Sequence, residues 1–181
     1  TGEAANRIAQ AFARWLSAKT RKPAEDLRIS VGHDSRISAP ALKAEVLGGL
    51  RAQKAAALDC GLASTPSMFM SVLFPETACD GAIMITASHL PFNRNGLKFF
   101  DADGGLEHAD ITALLEDAGG LDAAEASLEG IEPVDLLSLY AASLRKKICD
   151  GVKAEDYAHP LAGLKIAVDA GNGAGGFFVE Q

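Results

Sequence analysis

Ser88 and His89 stand side by side in the run Ile85-Thr86-Ala87-Ser88-His89-Leu90-Pro91-Phe92-Asn93-Arg94-Asn95-Gly96-Leu97-Lys98-Phe99-Phe100. The run begins apolar, breaks into a polar loop and returns apolar, which predicts strand, loop, strand. A serine at the carboxyl end of a buried strand is well placed for chemistry, because ligand sites in α/β sheets lie where strands end. A free hydroxyl is a weak nucleophile and needs help from its surroundings. His89 can donate to an oxygen and Lys98 supplies a fixed positive charge. With Arg36 and Arg94 they need only converge locally to hold an anion such as a phosphate. Upstream, Gly32-His33-Asp34-Ser35-Arg36 follows a predicted strand and precedes a helix. Asp34 and Arg36 can pair there, and taken alone they make a surface ion pair worth at most ~1 kcal/mol.

The elements that must position these residues are legible in the spacing. Ala5, Ile8, Ala9, Phe12, Trp15 and Leu16 recur at helical intervals, so the chain opens on an amphipathic helix. Leu27–Val31 reads as a strand. Ser38 is placed to cap the next helix, with Pro40 in its first turn and Leu42, Val46, Leu47 and Leu50 on its inner face. Residues 55–58 predict a second strand, residues 68–74 a short buried helix and residues 81–86 a third strand. Asn95-Gly96 signals a turn before a strand over 97–100. Helices follow around residues 111–115 and over 134–148, with Lys146 and Lys147 favouring the carboxyl end of the latter. A last strand is expected over 164–169. Such alternation argues for an α/β domain with a largely parallel sheet.

Composition narrows the classes. At 181 residues, the chain suffices for one domain and part of another. Seventeen basic against 24 acidic residues give a formal charge of −7, which argues against broad nucleic-acid binding. Its apolar stretches are too short to span a bilayer, and no signal-peptide pattern opens it at Thr1. Cys60, Cys79 and Cys149 have no metal-ligand spacing and suit a reducing compartment. A serine hydrolase fits badly, since the Gly-x-Ser-x-Gly elbow is missing. Asp169-Ala170-Gly171-Asn172-Gly173-Ala174-Gly175-Gly176 invites a phosphate-cradle reading but lacks the Lys-Ser/Thr of a P-loop.

The Ser88 loop closely resembles the phosphoserine loop of the α-D-phosphohexomutases, written Thr-(Ala/Gly)-Ser-His-Asn-Pro and then Asn-Gly-x-Lys. Leu90 alone departs, standing where that family has asparagine. Gly32–Arg36 resembles the family's Gly-x-Asp-x-Arg segment, and 169–176 the opening strand and turn of its second domain. The resemblance implies a mixed, mostly parallel sheet sandwiched by helices over 1–150 (domain I without its first strand). A linker over 151–162 and the start of a second α/β domain over 163–181 would follow. It implies that Ser88 carries a phosphate that also binds Mg²⁺, with His89 and Lys98 catalytic. Lys98 would contact, or move a proton at, a sugar hydroxyl. Arg94, Asn95 and Arg36 would touch substrate, and Asp34 would support them. The implied reaction moves phosphate between C1 and C6 of a hexose phosphate through a hexose bisphosphate, with no nucleic-acid or membrane partner. The alternative is a regulatory or interaction module that keeps the fold. Leu90 is expected to fill an apolar gap while Arg94 replaces the lost polar contact. The Leu-Pro-Phe-Asn-Arg-Asn-Gly version is similar to plant and algal members, so cytoplasm or plastid is the expected compartment.

Overall fold

The computed structural model describes residues 1–126, 128, 130–171 and 174–176, in two compact units, Thr1–Val134 and Asp135–Gln181. In the first unit the opening apolar repeat folds as α1 (Gly2–Thr20), capped by the Thr1 hydroxyl, which accepts from the Ala4 N–H. Then come β1 (Arg28–His33), α2 (Ala39–Ala52), β2 (Ala56–Leu62), α3 (Thr65–Leu73), β3 (Gly81–Ile85) and β4 (Leu97–Asp101). β5 (Gly104–Gly105), α4 (His108–Gly119) and β6 (Glu132–Pro133) complete it.

The strands form one sheet in the order β5-β4-β3-β1-β2-β6. β3, β1, β2 and β6 run parallel, whereas β4 and β5 pair antiparallel. Side chains alternate across the sheet. Ile29, Val31, Ile83, Ile85 and Phe99 join Phe12 and Leu16 of α1, Leu47 of α2 and Leu114 of α4 in the core. On the opposite face, Ser30 shares a hydrogen bond of 2.6 Å with Ser71 of α3. Helices therefore cover both faces of a mixed, mostly parallel sheet, the α/β architecture that the alternation predicts. Gly81 marks a tight helix–sheet approach: a Cβ there would lie 2.8 Å from Leu16 Cδ2 and 2.9 Å from Phe12 Cζ.

Several expectations need correction. Asn95-Gly96 makes no hairpin turn. Ser38 precedes α2 without capping it through its side chain, because its hydroxyl pairs with Asn95 instead, accepting from Nδ2 at 3.0 Å. The two-residue β5 and β6 carry too few residues for a period-2 signal and escape the reading. In the second unit, α5 (Leu136–Val152) runs past Ile148, so Lys146 lies a turn inside it and pairs with Asp150 at 2.5 Å. Beyond α5, Arg145 donates to the carbonyls of Tyr157 and Ala158, at 2.7 and 3.0 Å. Residues 164–170 form no strand, and Leu164, Ile166 and Val168 are exposed. An apolar alternation needs a neighbouring strand to become a ladder, and among the described residues 164–170 have none. Asn172 and Gly173 of the glycine-rich run lie outside the described residues.

Candidate active site

The loop that carries Ser88 is closed at its base by the sheet. Ile85 pairs with Leu97, and the Thr86 N–H donates to the Gly96 carbonyl at 2.9 Å. A Cβ on Gly96 would lie 2.9 Å from the Thr86 oxygen, so this glycine serves a close backbone approach rather than a turn of positive φ. Inside the loop, the Leu90 N–H donates to Ala87 O at 3.0 Å and the Arg94 N–H to Pro91 O at 2.9 Å. The first turn places Ser88 at φ 51, a left-handed backbone costing roughly 1–2 kcal/mol in a residue with a Cβ. Its side chain is exposed at the end of the fully buried β3.

Arg36 holds the loop from behind. Its Nε donates to Asp34 Oδ2 at 3.0 Å. Nη1 donates to the carbonyls of Pro91 and Arg94, at 2.7 and 3.2 Å, and Nη2 to those of Ser88 and Leu90, at 3.2 and 2.8 Å. A guanidinium has five N–H donors, and these five bonds engage them all. Asp34 in turn accepts the Thr86 hydroxyl on Oδ2 at 2.7 Å and the Arg36 backbone N–H on Oδ1 at 3.1 Å. The Thr86 oxygen accepts the Ser88 N–H at 3.0 Å. Thr86 was no candidate on sequence; the one available signal is a polar, β-branched residue directly after a buried strand.

A cleft of about 550 Å³ opens beside this network, lined by Asp34, Arg36, Thr86 and Ser88 and by the apolar Ile37, Leu90 and Phe92. The structure thus brings Ser88, Asp34 and Arg36 together. It does not place His89, Lys98, Arg94 or Asn95 in the lining of that cleft. Arg94 and Asn95 line a neighbouring recess with Ser38 and Glu45. Among the described residues, the side chains of His89, Arg94 and Lys98 make no hydrogen bond or ion pair, which leaves three exposed donors unspent. Leu90 fills no apolar gap: it is 58% exposed and contributes its carbonyl to Arg36 instead. No three His, Cys, Asp or Glu side chains converge among the described residues, and both Asp34 oxygens are engaged. This set does not by itself fit a Mg²⁺ cage. Burial pushes the Cys60 and Cys79 thiols up to about 12 and about 11, so neither is a nucleophile at neutral pH.

Residues 1–119 match the family described as phosphoglucomutase/phosphomannomutase, alpha/beta/alpha domain I. The chain belongs to the phosphoglucomutase/phosphomannomutase family. A phosphoglucosamine mutase of Pediococcus pentosaceus is 33% identical over 176 residues, covering 92% of this chain and 36% of that protein. One of Clostridium acetobutylicum is 34% identical over 182 residues, covering 96% and 37%. The crystal structure of a phosphoglucomutase/phosphomannomutase family protein from Burkholderia thailandensis superimposes with a TM-score of 0.66 at 22% identity, over 81% of this chain and 32% of that one. It shares the fold. The chain spans about a third of the length of these curated relatives. Among its described residues, no helix is long and apolar enough to cross a membrane.

Proposed function

We propose that this chain is the serine-bearing part of a phosphohexomutase, an intramolecular phosphotransferase acting on hexose phosphates. The observation that carries the reading is Ser88 itself: an exposed hydroxyl at the end of a buried strand, with its backbone N–H and C=O both held from behind. In the forward step a sugar hydroxyl attacks the Ser88 phosphate, the P–Oγ bond breaks and the sugar becomes a bisphosphate. The hydroxyl proton passes to a base, for which His89 and Lys98 are the candidates. Ser88 Oγ, protonated from that base as it leaves, then attacks the phosphate that the sugar brought with it. The bond from that phosphorus to the sugar oxygen breaks, the proton passes to the sugar oxygen, and the sugar leaves with its phosphate on the other carbon. Arg94, unspent in the structure, and Asn95 are the candidates for substrate contact. The committed donors of Arg36 favour a positioning role over the substrate contact expected for it.

Phosphoserine adds about −1.5 to −2 charges, which the unspent cations would offset. Mg²⁺ would find one oxygen ligand here, on the phosphate, whereas it prefers an octahedral oxygen shell; among the described residues no cluster of carboxylates, histidines or cysteines adds to it. The names of the relatives make a glucosamine phosphate one substrate to try. They do not favour the regulatory alternative, and their bacterial origin lends nothing to a plastid location; the three buried free cysteines suit a reducing compartment. The domain reading (1–150, linker 151–162, second domain from 163) belongs to the same proposal, although the compact units divide earlier, after Val134. Intact mass of the full-length protein should show one phosphate, lost in Ser88→Ala together with turnover while the melting transition stays. Wild-type turnover in Ser88→Ala would overturn the assignment.

A further inference from the structure

Thr86 is 6% exposed and lines the cleft beside Ser88, and its hydroxyl joins Asp34 to the backbone N–H of Ser88. The direction of its two hydrogen bonds is fixed by chemistry. A carboxylate facing a guanidinium accepts and does not donate, so at 2.7 Å the hydroxyl proton must point to Asp34 Oδ2. A lone pair of Thr86 Oγ1 is thereby turned to the Ser88 N–H, 3.0 Å away. The same Asp34 Oδ2 takes Arg36 Nε, and Arg36 Nη2 takes the Ser88 carbonyl. One carboxylate oxygen thus governs both backbone ends of Ser88, through Thr86 at the N–H and through Arg36 at the C=O.

We propose that Thr86 is a positioning residue of the mutase reaction: a one-way hydrogen-bond relay from Asp34 that holds Ser88 at its positive φ and so aims Oγ out of the loop. Three further features suit Thr86 to the task. A β-branched side chain has a stiff χ1, so the hydroxyl does not swing away. Its backbone is pinned by the bond from its N–H to Gly96 O and by the close approach of Gly96. And Ser88 at φ 51 has a conformation that its own chemistry does not favour, so something outside the residue must impose it.

The inference rests on Ser88 being the phosphoryl carrier, and the test separates the two. In the full-length protein, Thr86→Val keeps the shape and removes the relay, whereas Thr86→Ser keeps the hydroxyl and loses only a methyl. Misplacing a reacting group by about 1 Å costs on the order of a hundredfold. Thr86→Val should therefore lower kcat at least tenfold with KM within about threefold and the melting transition unmoved, and Thr86→Ser should restore kcat to within about threefold of wild type. Asp34→Asn and Thr86→Val together should cost less than the product of their separate losses, since the Thr86 branch is shared, while the Arg36 branch of Asp34 still adds its own. The amide proton of Ser88, followed by NMR, should shift upfield in Thr86→Val as it trades the hydroxyl for water. Equal kcat in wild type and Thr86→Val would overturn the relay while leaving the carrier role of Ser88 standing. Loss of kcat in Thr86→Val and Thr86→Ser alike, alongside a fallen melting point, would show a packing role only and equally overturn it. Full turnover in Ser88→Ala would instead remove the premise.

Discussion

Ser88 and Lys98 illustrate how differently two residues of one motif are treated by the fold. Ser88 is held through its backbone by hydrogen bonds at both ends, whereas Lys98 projects from β4, exposed and without a partner among the described residues. A lysine that neither packs nor pairs adds little to stability, so its removal reports on chemistry alone. Lys98→Met in the full-length protein should lower kcat by roughly a hundredfold, the scale of losing a positioned proton-transfer or charge group, with the melting transition unmoved. A melting point that falls with activity would mark Lys98 as structural. Ser88, Asp34 and Arg36 were legible in the sequence because residue types at a strand end and ahead of a helix narrow their uses. Thr86 was not, since its part depends on a hydroxyl direction set by Asp34, 52 residues away in the chain. For Arg36 the pairing with Asp34 was legible, but not the four loop carbonyls that exhaust its donors. A positive side chain alone does not tell whether it faces a ligand or its own backbone.

At the scale of elements, periodicity recovered what packs and missed what merely joins. The buried faces of α1 and α2 and the apolar cores of β1 and β3 follow from residue spacing, because burial against a neighbour is what the spacing encodes. The edge strands β5 and β6, and the missing ladder at 164–170, depend on what lies alongside, and no local pattern reports that. Glycine shows the same division. Asn95-Gly96 reads as a hairpin turn, yet Gly96 is required because the Thr86 carbonyl leaves no room for a Cβ. Gly81 is required for a different reason, the α1 side chains above it. The two substitutions to alanine should therefore separate stability from function. Gly81→Ala overpacks the core against Phe12 and Leu16 and should cost ~1–3 kcal/mol in a denaturant titration, with kcat of the folded fraction preserved. Gly96→Ala pushes on backbone at the base of the serine loop and should lower kcat by more than its effect on stability accounts for. The reverse pattern would show that the loop is not anchored at its base as described.

For the molecule as a whole, the buried thiols report on how well the sheet excludes water. Cys60 lies in β2 and Cys79 just before β3, both buried, and a thiolate at either place would lack the water that stabilises its charge. Burial raises Cys60 from the ordinary 9.0 to about 12 and Cys79 to about 11. In the unfolded chain both thiols release their protons above about pH 9, whereas in the folded chain they keep them. The unfolded state thus binds fewer protons at high pH, so stability falls as pH rises. Their contribution is intact below pH 9 and is lost progressively toward pH 12. Lys19 acts in the same direction: its hydrogen bond to Asp101 holds its ammonium above the usual lysine range, and that support fades as the proton leaves. Denaturant midpoints should accordingly be flat from pH 7 to 8.5 and decline steadily from pH 9 to 11. The double variant Cys60→Ala/Cys79→Ala, which removes two titrating groups at the cost of a little packing, should start from a lower midpoint and decline less steeply. In the native protein at pH 8 a thiol-alkylating reagent should leave both cysteines unmodified, and unfolding should expose them together. A wild-type profile flat to pH 11, or one no steeper than that of the double variant, would show that these thiols are not held neutral by the folded sheet.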